Sequence, residues 1–231
     1  MEAARRADVS NFIYSSTNKV YGDNVDKLPL MELDKEYRYK TTYGIDEGFS
    51  IDRCEHTPYG CSKLAADLYV QDYGHLYGIK TGVFRMSAIY GPNQFGVEDQ
   101  GWVAWFAIAT LLGKPITIYG DGKQVRDTLY VEDLIKAYDA FLKSKVKNGV
   151  YNIGGGIKNK TSLLQLIDLL EKLTGKRSEF NYADWRPADQ KVYISDTHKI
   201  KHELGWEPTT SLKEGLIKLI RWIEANKRIF K

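Results

Sequence analysis

Short apolar runs alternate along the chain with longer stretches in which apolar residues recur every three or four positions. Continuous apolar runs are typical of strands buried in a parallel sheet, and they occur at residues 11–15, 81–85, 116–119 and 149–153. The longer stretches predict helices over residues 59–77, 101–112, 132–144, 161–174, 197–204 and 211–226. Strands that alternate with helices predict an α/β fold. Residues 23–56 and 179–196 carry neither pattern, so we expect irregular structure there.

Composition narrows the classes of protein to which the chain can belong. Its 231 residues fit one large domain or two small ones, and its net charge of +3 is too small to favour nucleic acid as a partner. No apolar run is long enough to span a membrane, and residues 1–6 lack the apolar core of a signal peptide. The two cysteines, Cys54 and Cys61, fit neither a disulfide framework nor a metal site. We therefore expect a cytoplasmic protein without a metal centre.

Tyr59 and Lys63 stand four residues apart at the start of a predicted helix. That spacing places a phenol and an ammonium on the same helical face, one turn apart. A cation favours the phenolate, which allows a tyrosine to accept a proton near neutral pH. The alternative is a surface pair that stabilises the helix only slightly.

A second polar cluster, Ser15–Asn18, follows the first predicted strand. Open α/β sheets place their chemistry beyond the carboxyl ends of their strands, and a hydroxyl-rich turn is the alternative. The Gly-x-Gly-x-x-Gly turn that opens a dinucleotide-binding sheet does not occur in this sequence. Gly154–Gly156 lacks the ending of a phosphate loop, so we interpret it as a flexible turn.

Six stretches together resemble the extended short-chain dehydrogenase/reductase family of nucleotide-sugar epimerases and dehydratases, which use NAD. Their order and spacing match that family from residue 1 to the end of the chain. The stretches are Asn11–Gly22, Pro58–Lys63, Phe84–Pro92, Val125–Leu134, Arg186–Asp189 and Leu204–Trp206.

This resemblance implies a partial Rossmann fold, which is a doubly wound parallel sheet whose first half is missing, and a smaller C-terminal substrate-binding α/β lobe. Residues 1–92 would be the second half of the NAD-binding domain. Residues 93–231 would be mainly the substrate lobe, with roughly 125–155 returning to the Rossmann sheet. We expect the Gly-rich first half, roughly a hundred residues, to precede Met1 or to lie on a separate chain.

The resemblance also implies a catalytic triad of Thr17, Tyr59 and Lys63. Tyr59 would exchange a proton with the sugar, Thr17 would hydrogen-bond the reacting sugar oxygen, and Lys63 would bind the nicotinamide ribose. NAD would also contact Ser15 as well as Met86 and Ser87.

The nucleotide-sugar would contact residues from several parts of the chain. They are Thr17, Ala88, Trp102, Val103, Arg126 and Arg186. The two arginines would bind its diphosphate, because guanidinium groups match phosphate oxygens in a bidentate way. Ion pairs of Arg126 with Asp127, or of Arg186 with Asp189, are the alternative, and core packing is the alternative for Trp102 and Val103.

Three further segments resemble the branch of this family that inverts carbon C2 of a CDP-linked sugar, CDP-paratose to CDP-tyvelose. They are Ser16–Asn24, Tyr43–Glu47 and Glu98–Val103. Ala88 also fits that branch, since many family members carry Asn there. The family commonly dimerises through the tyrosine helix, which implies a homodimer.

Two other functions stay open at this point. One is a 4-epimerase or a 4,6-dehydratase of the same family. The dehydratase pattern has an Asp-Glu pair after the catalytic Thr, whereas Asn18 and Lys19 follow Thr17 here. The other is a module that binds a nucleotide-sugar without catalysis.

Overall fold

The computed structural model describes residues 1–230 and confirms the alternation of strands and helices. The helices are α1 Glu2–Arg6, α2 Thr57–Tyr77, α3 Trp102–Leu112, α4 Val131–Lys143, α5 Leu163–Thr174, α6 His198–Leu204 and α7 Leu212–Ala225. The strands are β1 Asn11–Thr17, β2 Leu30–Glu32, β3 Tyr37–Tyr39, β4 Lys80–Met86, β5 Ala88–Tyr90, β6 Ile116–Tyr119, β7 Val125–Tyr130, β8 Asn148–Ile153, β9 Lys160–Ser162, β10 Phe180–Ala183 and β11 Val192–Tyr193. Short 3-10 segments cover Asn18–Lys27, Ile157–Asn159 and Lys227–Phe230.

A three-stranded parallel sheet, in the order β1-β4-β8, is the centre of the first half of the molecule. Its third strand, β8, comes from later in the chain. Helices cover both of its faces. A side chain at Gly74 of α2 would meet Thr81, whereas a side chain at Gly82 would meet Phe141 of α4. Because neighbouring residues of a strand point to opposite faces, α2 and α4 lie on opposite sides of the sheet. This confirms the predicted doubly wound α/β architecture.

The second half of the molecule is built on shorter strands. β11, β7 and β5 form a parallel sheet, β9 pairs antiparallel with β7, and β10 pairs parallel with β6. Helices α3, α5 and α7 pack together over this region in the largest apolar core. The chain returns to the first sheet at β8, whereas β7 belongs to the second sheet. The predicted division of the chain near residue 92 stays a prediction.

The two stretches expected to be irregular contain strands. Residues 23–56 include the antiparallel hairpin of β2 and β3, and residues 179–196 include β10 and β11. The prediction of irregular structure there was wrong in these places, because strands of two to four residues are too short to show an alternating pattern. Among residues 1–230, no helix combines the length and the apolar character that crossing a membrane requires.

Asp133, at the start of α4, ties that helix to the segment before α7. Its side chain is fully buried and accepts hydrogen bonds from the backbone N–H groups of Thr209 and Thr210, at 3.1 and 2.8 Å, and from the Thr209 hydroxyl. Lys136 adds a salt bridge of 2.9 Å. Burial alone would raise the pKa of Asp133, but the hydrogen bonds from Lys136, Thr209 and Thr210 outweigh burial and lower the pKa to about 2.

We expect Asp133 to contribute about 2 kcal/mol to the free energy of unfolding near neutral pH, from the size of its pKa shift. Since the folded-state pKa lies below the ordinary value, this contribution is present above about pH 4 and is lost as the pH falls toward 2. Urea unfolding at several pH values measures it. Asp133→Asn should unfold more easily at pH 7 and should lose less stability on acidification than the parent chain. Asp139→Asn, on the exposed face of the same helix, is the matched control. Equal effects of the two substitutions would contradict this account.

Candidate active site

Helix α2 brings its N-terminus against the backbone that follows β1. Pro58 lies in its first turn, where the missing N–H is tolerated, and Gly78 ends the helix with a φ of 72°. A Cβ on Gly60 would lie 3.0 Å from the carbonyl oxygen of Lys19. The glycine therefore allows a close approach that sets Tyr59 beside the carboxyl end of β1.

A buried polar network fixes the middle of α2 to the sheet. Arg85 of β4 donates to both carboxylate oxygens of Asp67, at 3.0 and 3.2 Å, and Ser16 of β1 donates to Asp67 at 2.6 Å. Arg85 also donates to the Tyr21 hydroxyl, which donates in turn to Asn152 of β8. Burial would lower the pKa of Arg85, but the hydrogen bond to Asp67 outweighs it and raises the pKa above its ordinary value.

Tyr59 and Lys63 lie on the side of α2 that faces the end of β1. The Lys63 ammonium donates to the carbonyl oxygen of Ser15 at 2.5 Å and lies 4.5 Å from the centre of the Tyr14 ring. Tyr59 is 58% exposed, and no group among residues 1–230 forms a hydrogen bond with its hydroxyl. Its hydroxyl is thus accessible to a bound molecule.

Tyr59 is part of the wall of a cleft with a volume of about 440 Å³. Six of the residues predicted from the sequence line this cleft, and they come from different parts of the chain: Tyr59, Ser87, Ala88, Trp102, Arg126 and Arg186. The structure thus brings the predicted proton-transfer residue and the predicted diphosphate-binding residues together.

The other predicted residues lie outside the lining of the cleft. Thr17 is buried at the end of β1, where its hydroxyl accepts a hydrogen bond from the backbone N–H of Lys19 at 3.3 Å. Val103 is buried in the core of the second half, as the packing alternative expects. Ser15 and Met86 lie at the ends of β1 and β4, where the Tyr138 hydroxyl contacts both side chains. The roles of these residues stay predictions.

Both arginines of the cleft form ion pairs, but with other partners than the sequence suggested. Arg126 donates to Asp189 at 2.7 Å, and Arg186 donates to Asp99 at 3.0 Å and to the carbonyl oxygen of Glu98. The expected alternatives, Arg126 with Asp127 and Arg186 with Asp189, were therefore wrong. Neighbouring residues of a strand face opposite sides, so Arg126 points into the cleft while Asp127 is fully buried.

Lys19 is a residue of the cleft that the sequence analysis did not assign to the site. It lines the cavity, and its ammonium donates to the carbonyl oxygen of Ala188 at 3.2 Å. Burial, followed by the nearby Arg126 guanidinium, lowers the pKa of Lys19 to about 8. The signal was its position two residues beyond Thr17, directly after the polar cluster Ser15–Asn18.

An aromatic and polar group forms the other end of the cleft. Tyr119 donates to Glu98 at 2.7 Å, which lowers the pKa of that carboxyl, and Arg186 stacks 4.0 Å from the centre of the Tyr119 ring. Trp102 and Phe106 pack edge to face beside them. The cleft thus combines the exposed phenol of Tyr59 with two guanidinium groups and a set of aromatic rings.

Comparisons with known proteins show what this chain is similar to. The model of the NAD dependent epimerase/dehydratase family matches residues 1–154. CDP-paratose 2-epimerase of Salmonella typhi is 43% identical over 96% of this chain and 68% of its own length. UDP-glucuronate 4-epimerase of Thermodesulfobacterium geofontis is 37% identical over 76% of this chain and 53% of its own length.

Among solved structures, UDP-glucuronic acid 4-epimerase of Bacillus cereus, in complex with UDP-glucuronic acid and NAD, is similar to this chain. Its TM-score is 0.79 at 30% identity, and the match covers 97% of this chain and 65% of that one. The chain thus spans between about half and two thirds of the length of these relatives.

Removing the charge of Asp67 should destabilise the fold strongly. Asp67→Asn leaves the buried Arg85 without its ionic partner, which costs about 3–5 kcal/mol in comparable buried pairs. Chemical denaturation followed by circular dichroism measures the loss. Asp72→Asn changes an exposed carboxylate of the same helix and should cost less than about 0.5 kcal/mol. A similar small loss in both variants would show that the network does not anchor α2.

Proposed function

This chain belongs to the NAD dependent epimerase/dehydratase family, and we propose that it functions as a nucleotide-sugar epimerase that inverts carbon C2 of a CDP-linked sugar. One observation carries the proposal. A single cleft joins the exposed Tyr59 hydroxyl to the guanidinium groups of Arg126 and Arg186. The similarity to a CDP-paratose 2-epimerase supports the choice of C2 and of CDP.

The residues at the ends of β1 and β4 fit the nicotinamide end of NAD. Ser87 lines the cleft, and its hydroxyl is buried close to the carboxylate of Asp127. Lys63 and Tyr59 would hold the ribose, with Ser15 and Met86 beside the ring. When bound, NAD supplies the reversible oxidation of the sugar carbon.

Tyr59 carries the proton in this mechanism. Its phenolate accepts the proton of the C2 hydroxyl as that carbon is oxidised, and the phenol returns the proton to the oxygen once the sugar presents its other face. Lys63 stabilises the phenolate by its charge, and Thr17 orients the sugar oxygen. Arg126 and Arg186 hold the diphosphate, so the sugar can turn while the nucleotide stays bound.

The cationic and aromatic parts of the cleft support the substrate class. The guanidinium groups of Arg126 and Arg186 suit a diphosphate, and Trp102 and Tyr119 offer flat surfaces for a base. Ala88 leaves room beside the sugar. A 4-epimerase or a 4,6-dehydratase of the same family remains the alternative, but Asn18 and Lys19 offer no carboxylate at the place where the dehydratase pattern has an Asp-Glu pair.

A further segment would complete the site. Strand β1 has one neighbour among residues 1–230, which leaves its other edge without backbone partners. The exposed edge of a sheet is normally paired or protected. In addition, the sequence has no Gly-rich turn to hold the diphosphate of NAD. We therefore propose that a segment with such a turn, other than residues 1–231, pairs along β1.

The cytoplasmic location stays a prediction.

A homodimer through α2 is a related proposal. Leu68 and Tyr69, together with Leu76 and Tyr77, expose apolar surface on this helix. We expect the chain to dimerise through this face and Leu68→Glu combined with Leu76→Glu to yield a monomer. Light scattering after size-exclusion chromatography measures the mass. An unchanged mass in the double variant, or a monomeric parent chain, would refute the proposal.

The function is tested by adding a segment that completes the NAD site, incubating the protein with NAD and CDP-paratose, and following the configuration at C2 by NMR. Tyr59→Phe should lower kcat by roughly 10²–10⁴-fold with little change in KM, because only the proton exchange is lost. Tyr69→Phe removes an exposed hydroxyl of the same helix and should leave the rate unchanged.

Other products would point to other functions. Inversion at C4 would indicate a 4-epimerase, and loss of water from the sugar would indicate a dehydratase. Binding of the CDP-sugar without turnover, even with a segment added to complete the NAD site, would indicate a binding module. Undiminished inversion by Tyr59→Phe would refute the role of Tyr59.

A further inference from the structure

Residues 186–189 form one wall of the cleft, and Asp189 reaches from this wall to the cations opposite. Its Oδ1 accepts a hydrogen bond from Arg126 Nη2 at 2.7 Å and lies 3.9 Å from Lys19 Nζ. Lys19 also donates to the carbonyl oxygen of Ala188. One carboxylate oxygen is therefore shared by two cations that belong to β7 and to the segment after β1.

The charges at this point are not balanced. The side chains are only 12% exposed for Arg126 and 28% for Lys19, and neither forms a salt bridge to a second carboxylate among residues 1–230. Asp26 is near both cations and attracts them, but its carboxylate accepts from the backbone N–H of Lys191 and forms no salt bridge with either cation. Lys19 and Arg126 thus share one directly contacting carboxylate, that of Asp189. Burial, followed by repulsion from the Arg126 guanidinium, lowers the pKa of Lys19 although these carboxylates are near.

Resting on the proposed function, we propose that Asp189 holds the place between Lys19 and Arg126 that a diphosphate oxygen of the substrate takes on binding. Lys19 is then a third cationic ligand of the diphosphate, beside the two arginines. Carboxylate and phosphate oxygens occupy the same directions around a guanidinium fork. A diphosphate brings more charge and more oxygens than one carboxylate, so it can satisfy both cations at once.

The conformation of the wall segment supports an exchange of this kind. Ala188 has a φ of 55°, in the left-handed region that non-glycine residues rarely adopt. Two contacts hold this backbone conformation. The Lys19 ammonium donates to the carbonyl oxygen of Ala188, and Arg126 donates to the carboxylate of the next residue, Asp189. Release of Asp189 would let residue 188 relax and would move Arg186, three residues before Asp189, relative to the cleft.

The test measures binding of inorganic pyrophosphate and of CDP to the full chain by isothermal titration calorimetry, at pH 7 and constant ionic strength. Asp189→Asn removes the competing charge at nearly constant shape. It should tighten pyrophosphate binding by about 3- to 10-fold, whereas Lys19→Gln should weaken it by about 10-fold, the size of one partly buried charge-assisted contact.

Matched variants separate a local effect from a change in net charge. Asp184 lies just before the wall segment, and Lys40 directly follows β3; both are exposed and neither lines the cleft, so Asp184→Asn and Lys40→Gln change the net charge outside it. Both should leave the dissociation constant within about 2-fold of the parent value. Asp189→Glu keeps the charge and should also stay near the parent value. Circular dichroism melts confirm that each variant is folded.

Three results would overturn the proposal. Weaker or unchanged pyrophosphate binding in Asp189→Asn would make Asp189 a positioning partner of Arg126. Unchanged binding in Lys19→Gln would remove Lys19 from the diphosphate ligands. No binding of pyrophosphate by either the parent chain or Asp189→Asn would refute the site itself. Because none of these measurements uses NAD or turnover, the proposed epimerase activity can fail while this inference holds, and the reverse.

Discussion

The buried ion pair between Asp67 and Arg85 is the interaction on which the geometry of the site depends. It joins α2 to β4, and the hydrogen bond from Ser16 adds β1 to the same network. Burying two charges is costly unless both are fully hydrogen-bonded, and here the Tyr21 hydroxyl accepts from Arg85 and in turn donates to Asn152. The network lies one turn beyond Lys63 on the helix. It therefore fixes both the direction of α2 and the height at which Tyr59 stands over the end of β1.

The two ends of the cleft differ in how firmly they are held. The end with Tyr59 is carried by a long helix, packed against a parallel sheet and attached through buried charges. The opposite wall is carried by loops at residues 98–101 and 186–189, where a partly exposed ion pair links Arg186 to Asp99. Ion pairs of that kind add little stability. The molecule thus combines a firmly held tyrosine with a more weakly held wall opposite it.

The sequence predicted the alternation of strands and helices. It also predicted six residues that line the cleft, because functional motifs in α/β folds lie where parallel strands end. It did not predict the partners of the arginines. Neighbours in sequence, such as Arg126 and Asp127, are the natural first choice, yet the alternation of a strand sends them to opposite faces. The true partner of Arg126 is sixty-three residues away, and only the pairing of β11 with β7 brings Asp189 near. Short parallel strands with such distant partners leave no local pattern, which is also why β10 and β11 were missed.

Gly60 gives the site one more property. A Cβ at position 60 would lie 3.0 Å from the Lys19 carbonyl oxygen and 3.2 Å from the Cβ of His56, so the neighbouring backbone would have to move by a few tenths of an ångström. A larger residue there would therefore shift Tyr59 and Lys19 relative to each other, although neither of these side chains is changed.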